Sequence, residues 1–184
     1  MGIYSSALVF CLSKFWEEIR MAIVGARIDN RLLHGVVATS WAPNSNATRV
    51  MVIDDNVAND PQKKQAMKLG RPSGMAVSII SKQKALDHFK EHKYDRQRVF
   101  IVSQTPDVFL DLINQGEKIN QIVLGGTLTF DNAIKVTNRA YIKSEQIGTY
   151  KALLNKGCQI ISKYVPQDDV VDVAKVLDKQ KAGA

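Results

Sequence analysis

An α/β fold, with one domain built on a mostly parallel, doubly wound sheet of about seven strands flanked by helices, is predicted by three features of the 184-residue sequence. Short apolar runs alternate with longer amphipathic stretches along the chain, the order that builds parallel sheets. Those runs are continuous and rich in Val and Ile, as expected of strands buried on both faces. Helix-start signals fall between them.

The first strand is expected over residues 22–27 (AIVGAR) and the second over 49–54 (RVMVID). Residues 75–80 (MAVSII), 98–102 (RVFIV) and 119–124 (INQIVL) give three more. Residues 140–143 (AYIK) and 159–163 (QIISK) are shorter candidates. A helix is expected over 60–69, where Asn59-Asp60-Pro61 supplies a cap and a proline at the first turn. A second, over 81–91, has Ser81 as its cap. A third, over 105–114, has Thr105 as cap, Pro106 at its first position and Gly116 beyond its end. Residues 144–155 form a helix closed by Gly157, and 170–177 form the last one. No internal repeat or low-complexity linker divides the chain, so residues 21–184 read as one domain.

Residues 1–20 read as an N-terminal extension with no part in the chemistry. The stretch from Tyr4 to Trp16 is apolar but too short and interrupted to span a bilayer. It has no basic leader or small-residue cleavage site, which argues against a secretory signal. A membrane-touching amphipathic helix is the competing reading. The net charge of +7 favours anionic partners. That charge is spread rather than clustered, so a solvated basic surface accounts for it equally well. The two cysteines, Cys11 and Cys158, form no CxxC pair and point to no zinc site. Two scattered thiols fit a reducing compartment, with a Cys11–Cys158 disulfide left open.

The chemistry concentrates in Arg27-Ile28-Asp29-Asn30-Arg31-Leu32-Leu33-His34-Gly35, which follows the first strand. Loops at the carboxyl ends of parallel strands are where α/β proteins hold ligands. Gly35 lets the backbone approach a ligand. A helical pattern then runs to Trp41, and a helix N-terminus suits a phosphate. Arg27 and Arg31 bring guanidinium forks that match phosphate oxygens. Asp29 is placed to orient Arg31 or to hold one ring nitrogen of His34 and so fix its tautomer. Spacing alone favours a surface ion cluster of Arg27, Asp29 and Arg31, with His34 an ordinary helix-start residue.

The stretch ARIDNRLLHGVVATSW resembles the signature of the mannose/sorbose-family IIB components of bacterial sugar phosphotransferase systems, written close to R-I-D-x-R-L-x-H-G-Q-V. The likeness continues through VIDDNVANDPQKKQAMKLGRPSGMAVSI, SQTP, INQIVLGG and the last helix, roughly residues 21–177. It implies a phosphocarrier. His34 would accept a phosphoryl group from a IIA phosphohistidine, at Nδ1, and pass it to a sugar held by membrane IIC and IID components. Arg31 would stabilise the phosphate, with Arg27, Asp29 and Gly35 in support. The resemblance implies no metal and no cofactor. It implies a cytoplasmic protein resting against the IIC/IID complex, with a homodimer compatible with it. The sugar would be a hexose or an amino sugar, with N-acetylgalactosamine as the working choice. Val36 stands where the family commonly has Gln, which leaves a shifted specificity or a non-catalytic, regulatory paralogue as alternatives.

Other polar groups have simpler readings. Asp54 and Asp55 end the second strand and read as turn and cap residues. His88 and His92 read as solvated residues near a helix C-terminus. Gly125-Gly126-Thr127 reads as a rim loop that either touches the site or merely turns the chain. Lys63, Lys64 and Lys68 either dock an acidic partner or solvate their helix. A nucleic-acid-binding module is the weakest rival, because no aromatic residues interleave with the basic ones in a recognition motif.

Overall fold

The computed structural model describes residues 22–182. The extension read over residues 1–20, and Cys11 with it, lie outside the described residues. The elements, in chain order, are β1 (Ile23–Ile28); a wide-turn helix Val37–Trp41 that runs into Ala42–Asn44, together α1; β2 (Arg49–Ile53); α2 (Asp55–Asn59) and α3 (Pro61–Leu69); β3 (Ala76–Ile80); α4 (Lys82–Lys90); β4 (Val99–Ser103); and α5 (Asp107–Asn114). There follow β5 (Gln121–Leu124), the short strands β6 (Ile134–Lys135) and β7 (Tyr141–Ile142), α6 (Ile147–Asn155), β8 (Gln159–Ser162), β9 (Val171–Asp172) and α7 (Val173–Ala182).

Seven strands form the main sheet in the order β3-β2-β4-β1-β5-β8-β9. All neighbouring pairs are parallel except β8 and β9. The single α/β domain with a seven-stranded, mostly parallel sheet is as expected, but its membership differs. Residues 141–142 leave the sheet and pair with β6 in a separate two-stranded ribbon. The seventh place goes to β9, within the stretch read as the start of the last helix. Two-residue strands are held by their partners and carry no periodicity of their own.

Strand period places side chains on two faces. Met51, Ile53, Val99, Ile101, Ile122 and Leu124 face one core, packed by α4, α5, α6 and α7 through Phe89, Phe109, Tyr150 and Leu177. Val50, Val52, Phe100 and Val102 face the other, packed by Leu32, Leu33, Val37 and Val57. Every residue of β4 is buried, which explains its unbroken apolar run.

Capping follows the sequence in part. Asp60 accepts the backbone N–H of Gln62 and Lys63 at the start of α3, each at 3.0 Å. Ser81 accepts that of Lys84 at 3.3 Å. Thr105 does not cap α5; Pro106 occupies the cap position, and the helix begins at Asp107. Asp54 caps α2 through Val57, and Asp55 accepts the Lys82 N–H, so this pair serves turns, as read. His92 lies past the end of α4 with φ of 57° and pairs with Asp95, while His88 meets the Tyr94 hydroxyl. The two histidines share no helix face.

Register levels the carboxyl ends of the central strands. Ile28 stands beside Ser103 and Leu124, and Ile53 beside Ser103. The chain leaves β1 toward β2 on one side and leaves β5 toward β8 on the other. The crevice between two such strands is where ligands settle in doubly wound sheets.

Candidate active site

Arg27 is the last but one residue of β1, and Asp29 the first beyond it. Both are fully buried. Asp29 Oδ2 accepts from Arg27 Nε at 3.1 Å and from Nη2 at 2.9 Å. The guanidinium also donates to the carbonyls of Lys163 (3.1 Å) and Tyr164 (3.2 Å), and lies 4.9 Å from the centre of the Trp41 ring. Burial pulls this guanidinium below its ordinary pKa, while the Asp29 charge holds it up. Arg27 has no path to a phosphate on the surface. Buried against Asp29, it stands as a brace, the supporting place the resemblance implied for it.

The brace joins three loops. Asp29 also accepts the backbone N–H of Arg31 at 3.2 Å and of Gly126 at 3.3 Å. Gly126 returns its carbonyl to the N–H of Asn30 at 2.8 Å. The Gly125-Gly126 turn therefore touches the site. Glycine is needed at 125 because a Cβ there would run into the Arg27 guanidinium, 2.7 Å from Nε and nearer still to Cζ and Nη2.

With Asp29 fixed, the loop turns at Leu32, whose φ is 55°. A leucine in the left-handed region costs roughly 1–3 kcal/mol. Its side chain is 1% exposed and packs beneath the loop, which offsets that cost. The turn aims the Leu32 carbonyl at His34 Nδ1, 3.0 Å away. A carbonyl only accepts, so Nδ1 carries the ring proton and Nε2 the lone pair. Of the two roles the sequence left open for Asp29, holding the ring is not met: its nearest oxygen is 3.9 Å from Nδ1, beyond hydrogen-bond reach, while it does accept the Arg31 backbone N–H.

His34 Nε2 faces Arg31 Nη2 at 2.6 Å. The same Nη2 donates to the Tyr164 hydroxyl at 2.7 Å. The carbonyl of Tyr164 is held by Trp41 Nε1 at 2.9 Å. Arg31 and Gly35 are exposed, and a Cβ at Gly35 would meet nothing within 4 Å. Two helical residues, Gly35 and Val36, lead into α1, so His34 stands at the head of the helical run, its carbonyl accepting from the Ala38 N–H at 2.9 Å. Thr39 Oγ1 bonds back to the Gly35 carbonyl in the wide-turn segment, a helical irregularity common at functional sites. Val36, half-buried in that first turn, brings no polar group.

His34 and Arg31 are thus brought together, with Asp29, Arg27 and the 125–126 turn beneath them. Lys63 pairs with Asp60 at 3.3 Å, and Lys64 reaches the Ala58 carbonyl. Tyr164 was missed. Its one signal was its place just past a parallel strand, on the rim that carries His34. Arg139 was missed as well; it lies 4.2 Å from the centre of the Tyr164 ring, brought there by the β6–β7 ribbon.

Fold and site together define a class: a parallel α/β protein with a rim histidine whose one ring nitrogen is held by the backbone while the other faces a guanidinium, an arrangement suited to an anionic group. The model of the sorbose subfamily of phosphotransferase-system IIB components matches residues 23–184, and the chain belongs to that family. It is 31% identical over 155 residues to the N-acetylgalactosamine-specific phosphotransferase enzyme IIB component 2 of Escherichia coli K12, covering 84% of this chain and 98% of that protein. It is 27% identical over 159 residues to the sorbose-specific EIIB component of Lacticaseibacillus casei, covering 86% and 97%. The solved IIBSor domain of the Klebsiella pneumoniae sorbose permease superposes with a TM-score of 0.79 at 29% identity, covering 88% of this chain and 98% of that one. No helix among the described residues is long and apolar enough to cross a membrane.

Proposed function

We propose that this protein is a phosphocarrier: His34 accepts a phosphoryl group from a IIA phosphohistidine and passes it to a sugar held by membrane IIC and IID components. The observation that carries the reading is the 2.6 Å approach of Arg31 Nη2 to His34 Nε2, with the opposite nitrogen engaged by Leu32. In the first step the imidazole lone pair forms a nitrogen–phosphorus bond as the corresponding bond to the donor histidine breaks. Arg31 then donates to the phosphoryl oxygens. Transfer of this kind asks for positioning and charge stabilisation more than for covalent assistance. An open rim admits a donor histidine, which a deep pocket would exclude.

The family resemblance implies Nδ1 as the bonded atom. Reaching it requires turning the ring about Cβ–Cγ and releasing the Leu32 carbonyl. The rotamer present offers Nε2 without that motion, and phosphorus–nitrogen couplings in the labelled protein distinguish the two. A hexose or amino sugar is the substrate class. N-acetylgalactosamine is favoured because a relative of that printed specificity is 31% identical. Residues 1–20 take no part, in keeping with a family match that begins at residue 23.

The test is to incubate the protein with the general phosphotransferase proteins, IIA and phosphoenolpyruvate, and to weigh it intact. One added phosphoryl group is expected in the wild type and none in His34→Ala. Stoichiometric labelling of the alanine variant overturns the assignment.

A further inference from the structure

Two guanidiniums meet on one tyrosine at the edge of the site. Tyr164 follows β8, and its backbone is pinned on both sides. Its N–H and that of Val165 donate to Asp168 Oδ2 at 3.0 and 2.9 Å, and its carbonyl accepts from Trp41 Nε1 and Arg27 Nη2. A side chain on so fixed a backbone is preorganised. Its hydroxyl accepts from Arg31 Nη2 at 2.7 Å, and the Arg31 and Arg139 Cζ atoms lie 5.7 and 4.2 Å from its ring centre.

Neither arginine has a carboxylate within ion-pair distance among the described residues. The nearest buried acid, Asp29, is already paired with Arg27. Two like charges gathered on one ring repel each other, and an anion between them relieves that repulsion. Of the five N–H donors of Arg31, one bonds His34 and one bonds Tyr164, which leaves three for oxygens.

We propose that Tyr164 and Arg139 complete the phosphoryl-binding site: Tyr164 is a positioning residue that holds Arg31 toward His34 through its hydroxyl and gathers Arg139 on its ring as a second cation for the phosphoryl oxygens. The inference rests on the phosphocarrier reading of His34 and extends it to residues 108 and 133 positions away from Arg31. Tyr164 moves no proton in this scheme. Arg139 balances the second negative charge that a phosphoryl group carries near neutral pH.

The experiment uses the full chain and phosphoramidate, a small phosphoryl donor that needs no partner protein. The His34 lone pair bonds to phosphorus as the phosphorus–nitrogen bond of phosphoramidate breaks and ammonia leaves. Labelling rates, followed by intact mass, and the pH titration of the phosphorus resonance are read for wild type, Tyr164→Phe, Arg139→Ala and Arg139→Lys. Urea midpoints serve as the folding control. Tyr164→Phe keeps the ring and frees Arg31, so labelling slows about ten-fold, the loss of one charge-assisted hydrogen bond. Arg139→Ala raises the titration midpoint of the phosphoryl group by roughly half a pH unit, the size of effect an exposed charge pair gives. Arg139→Lys restores most of that shift. Variants that label and titrate like the wild type overturn this inference alone and leave His34 as the carrier. A wild type that takes up no phosphoryl group, from phosphoramidate or from IIA, overturns both.

Discussion

Replacing Arg27 by alanine is expected to damage the fold far more than its place beside the site would imply. The guanidinium is 0% exposed and supplies two of the four hydrogen bonds that reach the Asp29 carboxylate. Without it, Asp29 stays buried with only the backbone N–H groups of Arg31 and Gly126, at 3.2 and 3.3 Å. The Lys163 carbonyl loses its guanidinium donor, while that of Tyr164 keeps Trp41. Breaking a buried ion pair by removing one partner costs about 3–5 kcal/mol. A domain of this kind holds only about 5–15 kcal/mol in all. At roughly 2–4 °C per kcal/mol for this size, the melting temperature falls by about 6–20 °C. Urea unfolding, followed by circular dichroism, measures the loss. Arg27→Met combined with Asp29→Leu should recover much of it, because no charge is then left buried. An Arg27→Ala protein within about 0.5 kcal/mol of wild type, the range of ordinary surface substitutions, would refute the brace.

Arg31→Ala has the opposite profile. It should unfold like the wild type, yet accept phosphate from IIA about ten-fold to a few hundred-fold more slowly by quenched flow, with Arg31→Lys recovering only part. Gly125→Ala should destabilise the protein in the same urea assay, since its Cβ would fall on a guanidinium that is held on every side. The Cys158 thiol, 2% exposed and pushed up to about 11 by burial, should resist iodoacetamide at pH 8 until urea is added, read by peptide mass. Because the folded protein keeps this proton longer than the unfolded chain does, stability should decline as pH rises from 9.0, the ordinary value, toward about 11.

Much of the scaffold could be read from the chain because burial on both faces leaves apolar runs that need no partner to be recognised. Val50–Ile53 is one such run, and the glycines at 116 and 157, with φ of 107° and 82°, end their helices as expected. His34, Arg31 and Asp29 stood out together because they sit in one loop, while the 125–126 turn was left open between touching the site and merely turning the chain. Two things were not. The direction of the Arg27 side chain depends on which face of β1 it takes. It lies on the face that meets Trp41, under loops that sequence spacing does not place. Tyr164 and Arg139 lie 133 and 108 positions from Arg31. Tertiary pairing alone brings them together, through β8 beside β5 and through a ribbon of two-residue strands.

Arg27 at the end of β1 and Arg31 in the loop beyond it show why a charged pair is worth burying here. Such a pair is weak evidence for stability, because desolvation offsets most of its attraction. What Arg27 and Asp29 supply is position. One guanidinium and one carboxylate tie the loop after β1 to the turn after β5 and to the segment after β8, three pieces of chain that meet at this rim. The pairing also has an electrostatic consequence. Asp29 Oδ1 reaches the Arg31 backbone N–H, yet the negative charge itself is matched by Arg27 through Oδ2. Had Asp29 been left unpaired two residues away, it would have attracted the Arg31 side chain and neutralised it. With that charge satisfied below, the Arg31 guanidinium stands over His34 with no carboxylate within ion-pair distance among the described residues. A leucine at φ 55° then costs the loop little against what it fixes, a ring nitrogen set 2.6 Å from a guanidinium that no carboxylate of the described residues pairs with.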